Sequence, residues 1–185
     1  MEALKIITLC VAAAVVYGIL HDQVTARVCV EYFTIGHPPV FSTRSPTLLA
    51  IGWGIIATWW VGVMLGVPAA LACRIGSWPK FTAGQLVKPI AIMLVVMASG
   101  ALVAGIAGYN AAQAGKIQLL EPLASRIAPE KHAAFLADLW AHITSYALGF
   151  IGGWVIISYV VFARWHGVRA ALRERWLEQN RAESQ

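Results

Sequence analysis

Ile6-Ile7-Thr8-Leu9-Cys10-Val11-Ala12-Ala13-Ala14-Val15-Val16-Tyr17-Gly18-Ile19-Leu20 carries no charge and runs straight into His21-Asp22-Gln23-Val24-Thr25-Ala26-Arg27. An apolar run of this kind is long enough to cross a bilayer once its flanks are included. Ionisable groups at the end of such a helix are costly, so they are held by a partner and commonly have a task. Tyr17-Gly18-Ile19-Leu20-His21-Asp22 lacks the small-x-small pattern of a leader-peptide cleavage site, so the run reads as an uncleaved first span. At helical spacing Cys10, Ala14, Tyr17 and His21 share one face, with Thr25 a turn later. Val11, Val15, Gly18 and Asp22 lie beside them.

The composition of the whole chain agrees. Of 185 residues, 59% are hydrophobic and 12% are charged. A soluble domain carries about 25% charged residues. Half that load means that lipid is the solvent for most of the chain. Three cysteines, Cys10, Cys29 and Cys73, without a CxxC argue against a disulfide framework or a thiolate zinc site. The net charge of +5 is concentrated in one loop and at one end, which bears on topology and not on nucleic acid.

Beyond Arg27, a continuing helix brings Arg27 and Glu31 face to face, four residues apart. Gly36-His37-Pro38-Pro39 ends any helix there. Further uncharged runs predict spans at about 47–73, 89–109 and 136–163, after a first span at about 4–26. The expected fold is an all-α integral membrane four-helix bundle over residues 1–163. A basic tail, 164–185, follows as an amphipathic interfacial helix with Trp165, Leu172 and Trp176 on one side. Gly62-x-x-x-Gly66, Gly149-x-x-x-Gly153 and the pairs Ala101/Gly105 and Ala104/Gly108 let helices approach closely. They would serve the bundle, a second copy or a membrane-complex partner.

Lysine and arginine set the orientation. Arg74, Lys80 and Lys88 lie in a loop without acids, and the tail holds five arginines. With four spans both termini and this loop are cytoplasmic, in the inner membrane of a bacterium. The segments carrying His21-Asp22 and Asp138-x-x-x-His142 then meet at the outer face. Two imidazoles and two carboxylates from His21, Asp22, Asp138 and His142 suit zinc, or iron or manganese if one position stays open. The spacing is neither Glu-x-x-His nor HExxH. His37, His132, Glu31 and Arg27 are further polar candidates. The bland alternative pairs Asp22 with Arg27 or a helix end, pairs Asp138 with Lys131, and leaves both histidines bonded to backbone carbonyls.

The run HDQVTARVCVEYFTIGHPP, residues 21–39, resembles a motif of small bacterial four-span membrane proteins. The resemblance covers the first two spans best. It implies a multi-span bacterial membrane protein, and brings no activity, ligand or catalytic residue with it. No nucleophile elbow, phosphate loop or dinucleotide fingerprint is present. Two functions from different classes remain. One is a metal-binding membrane protein, a hydrolase or a redox enzyme. The other is a non-enzymatic accessory or channel-like subunit that uses the cluster for helix packing or for proton or ion passage.

Overall fold

The computed structural model describes residues 1–183. Four of its helical stretches are long and apolar enough to cross a membrane: Glu2–Val28, Pro46–Arg74, Ala83–Gln113 and Pro129–Arg181. The chain is an all-α bundle with no strand among the described residues. Large apolar side chains such as Val95, Leu102, Val103, Ile151 and Val155 stand exposed on its outside. On a water-soluble protein such a surface would aggregate; against lipid tails it costs nothing.

Helix α1, Glu2–Val28, starts with an acid in its first turn, and Glu2 takes Lys5 as an ion-pair partner at 2.6 Å. It stops at Cys29, whose backbone is extended (φ −147°, ψ 99°). A single turn, α2 (Val30–Thr34), resumes beyond. This break overturns the expected Arg27–Glu31 pair, because the two residues no longer share a helical register. Arg27 instead donates to Gln23 Oε1 at 2.7 Å and to Thr47 Oγ1 at 2.9 Å. Glu31 accepts the Cys29 thiol at 3.5 Å.

The second span is two helices, α3 (Pro46–Ile56) and α4 (Trp59–Arg74). Between them the Thr58 hydroxyl bonds back to the Gly54 carbonyl, a contact that bends helices. Both pack on α1 almost backbone to backbone. A Cβ on Gly54 would meet Ile19 N at 2.5 Å, and one on Gly62 would meet Val11 Cα at 2.5 Å. The small-residue face read at Gly62 and Gly66 is therefore turned to α1.

Helix α5, Ala83–Gln113, opens on a capping box between Thr82 and Gln85. Pro89 thus lies inside this helix and not at its head. After α6 (Leu123–Arg126) and a 3-10 turn at Pro129–Lys131, α7 runs from His132 to Glu183. The stretch 164–183 continues α7 without a break, so the expected tail is not a separate element; its last residues, 184 and 185, lie outside the described residues.

Arg164, read as the first residue of the basic interfacial tail, is 3% exposed. Its guanidinium donates to the carbonyls of Pro79 (2.7 Å), Ile75 (2.7 Å), Trp78 (3.3 Å) and Ala72. Ala72 and Ile75 belong to the C-terminal end of α4, where carbonyls lack helical partners and a cation is favoured. At the same end Glu2 Oε2 accepts the Ala83 N–H at 3.4 Å. The loop 75–82, the start of α1 and Arg164 therefore gather at one end of the bundle. Segments 29–45 and 114–131 gather at the other.

Two packed layers close the interior. At the Arg164 end Ile6, Cys73, Leu86 and Val160 are at most 1% exposed. At the opposite end Cys29, Phe33, Leu49, Ala50, Ile127 and Phe135 form the second layer.

Candidate functional site

His21 and Asp22 come from the penultimate turns of α1, and His142 from α7. From Arg164 to His142 is 22 residues of one helix (164 − 142), a rise of roughly 33 Å. The hydrocarbon core of a bilayer is about 30 Å thick. Arg164 and the cluster thus stand about one such thickness apart along α7.

The side chains meet across the two helices. His142 Nε2 lies 3.2 Å from Asp22 Oδ1, and His142 Nδ1 lies 2.7 Å from the Asp138 backbone oxygen. A carbonyl oxygen only accepts, so Nδ1 carries a hydrogen and donates it. Nε2 and Oδ1 would then oppose lone pair to lone pair unless a positive species sits between them. That species is a proton on one of the two, or a metal cation. Asp22 and His142 are 5% and 8% exposed.

The His21 ring stands edge-on to His142, with centroids 4.6 Å apart. Its Nε2 is buried with no hydrogen-bond partner. One ligand atom each from His21, Asp22 and His142 lies within 4.8 Å of the others. Tyr17 stacks under His21 at 5.7 Å and bonds Ser145 Oγ at 2.8 Å.

Asp138 lies outside this three-residue group. It is 1% exposed, and its Oδ2 has no hydrogen-bond partner among the described residues. It touches the cluster through its carbonyl, which fixes the tautomer of His142.

Above the cluster the segment after Cys29 forms an aromatic cap. Tyr32 stacks on His142 at 4.5 Å, Phe33 on His37 at 5.8 Å, and His37 lies 4.5 Å from Trp53. His37 Nδ1 donates to the Tyr32 carbonyl at 2.8 Å. Burial holds the His37 imidazole below its ordinary pKa, and burial pushes the Cys29 thiol up to about 12, so neither adds a charge to the cap at neutral pH. His132 is turned away, bonded through Nε2 to the carbonyls of Ile127 (2.9 Å) and Ala124 (3.2 Å). Arg27 and Glu31 are spent on the contacts described above.

Tyr17, Ser145 and Tyr32 are the site residues that sequence reasoning missed. Tyr17 and Ser145 do carry a signal, since each lies one turn from a site histidine on the same face. Tyr32 carries none, because it reaches His142 only through the break at Cys29. Comparison with protein-family models, with curated proteins and with solved structures finds no match to this chain. The functional reading therefore rests on the site itself.

Proposed function

We propose that the chain is a multi-pass protein of the bacterial inner membrane, with both termini cytoplasmic, that holds a divalent metal at the outer end of its bundle. The observation that carries the reading is the group of His21, Asp22 and His142, one ligand atom of each within 4.8 Å of the others, together with a buried His21 Nε2 that has no hydrogen-bond partner among the described residues. Two nitrogens and one carboxylate oxygen suit zinc, iron or manganese. Three protein ligands leave a fourth position open, the arrangement of reactive and not of structural zinc sites. The Asp138 carbonyl on His142 Nδ1 is the kind of outer contact that orients a ligating imidazole. A bound metal would polarise an oxygen placed at the open position.

One measurement separates this from the second reading. Protein purified without chelator is expected to carry about one metal per chain by elemental analysis. His21→Ala and His142→Ala should reduce it to background, since each removes a member of a three-ligand set. Wild type with no metal would sink the proposal. The second reading would then lead, in which Asp22 and His142 share a proton and join α1 to α7. The 3.2 Å contact, already hydrogen-bond length, favours it.

Orientation has its own test. The loop from Arg74 to Lys88 is purely basic, and such loops stay cytoplasmic. A periplasm-dependent reporter fused after Ser42 or Gln118 should be active, and one fused after Ser77 should be silent. The reverse pattern would move the cluster to the cytoplasmic face.

A further inference from the structure

A cavity of about 140 Å³ lies between the two packed layers. On α1 its wall runs from Cys10 to Asp22, and on α7 from His142 to Ile156. Those are 12 and 14 residues (22 − 10 and 156 − 142), so the cavity is roughly 18–21 Å long. Pockets for ring-shaped cofactors and drug-sized ligands are about 300–1,000 Å³. A smaller volume drawn out over this length is a slot, and a slot fits a chain.

Its polarity is graded. Leu65, Ile90, Met93 and Met97 wall the lower part, while Tyr17, Thr58 and Ser145 join the histidines at the upper end. The two methionines are flexible, so the slot can widen around an occupant. Among the described residues no lysine or arginine lines it, and the only carboxylate there, Asp22, is itself buried. An anionic head would be drawn out of water with no lysine or arginine side chain beside it. A neutral oxygen head meets the Tyr17–Ser145 hydroxyl pair, which has acceptor lone pairs and one hydroxyl hydrogen left after its own 2.8 Å bond.

We propose that this slot binds a neutral single-chain amphiphile, with its tail between the helices below the cluster and its hydroxyl or carbonyl head on Tyr17 and Ser145. The site goes beyond the metal reading and does not need it. The head meets protein hydroxyls, and the tail meets Ala14, Val61, Met93 and Met97.

The test uses dodecanol carrying a chain diazirine as the probe on the purified full chain, with labelled residues mapped by mass spectrometry. Saturable labelling should fall on Ala14, Met93 and Met97. Unlabelled dodecanol should compete about tenfold better than dodecanoate or dodecane, the difference one lost head contact makes. Tyr17→Phe with Ser145→Ala should erase the advantage over dodecane. Ala14→Phe fills the slot and should abolish labelling, whereas Ala12→Phe, on an exposed position of the same helix, should leave it unchanged. If Ala14→Phe fails to fold, the wild-type competition series decides alone. Unsaturable labelling spread over lipid-facing positions would overturn the proposal, as would equal competition by dodecane or by dodecanoate. Stripping metal with chelator should leave labelling intact, and labelling that vanishes with the metal would overturn the assignment of the head to the hydroxyl pair. Metal content measured on the same samples reports on the metal reading separately.

Discussion

Arg164→Leu is expected to lower the stability of the bundle by about 3–5 kcal/mol, the range for removing one partner of a buried charged network. The guanidinium serves four carbonyls, from Ala72, Ile75, Trp78 and Pro79, and all of its donors lie in a residue only 3% exposed. Leucine fills part of the space and supplies no donor. The Ala72 and Ile75 carbonyls would be left at the dipole-negative end of α4 without a cation, each costing about 1–3 kcal/mol if water cannot reach it. Arg164→Lys is the sharper comparison. Lysine keeps the charge, yet a single ammonium cannot span carbonyls from residues 72 to 79 as a planar fork does. It should recover less than half of the loss. Unfolding of the three proteins in mixed micelles measures this. A leucine variant as stable as wild type would show that water satisfies these carbonyls and that Arg164 pins nothing.

Arg164 also marks where sequence reading stops. In the chain it opens a run of arginines, and nothing in its neighbours separates it from Arg169 or Arg173. Its role depends on the loop at 75–79 folding back onto α7, a contact 85–92 residues away. The spans, by contrast, are local properties. An uncharged run of this length has one stable solution in lipid, so four crossing helices could be read directly. Breaks in those helices could not. Cys29 and Thr58 interrupt them without proline, and the side-chain pattern on either side continues as though each helix did.

The cluster falls between these cases. That His21, Asp22 and His142 meet follows from span counting alone, because both segments end at the same face. That Asp138 stands aside does not. Its i, i+4 relation to His142 puts both on one face of α7, but its carboxyl lies outside the three-residue group. Helical spacing chooses a face; it does not choose a depth.

The interaction between Asp22 and His142 should be strongly coupled, and the form of the coupling identifies what joins them. Asp22→Ala leaves His142 Nε2 without a partner in a site 8% exposed, and His142→Ala leaves a buried carboxyl unmatched. Each is expected to cost about 3–5 kcal/mol. The double variant should cost little more than the worse single, a coupling of about 3 kcal/mol at the top of the usual range for contacting pairs, because the second change removes the group that the first left stranded. Asp22→Asn then tests the positive species between the two atoms. An asparagine amide can donate to the Nε2 lone pair, so it replaces a protonated aspartic acid at little cost. It cannot balance a metal ion or an imidazolium, since it brings no charge. With a metal in place, Asp22→Asn should therefore destabilise nearly as much as Asp22→Ala, and both should lose metal together. An asparagine variant with wild-type stability, beside a costly alanine variant, would mean that a shared proton joins α1 to α7 and would remove the case for a metal.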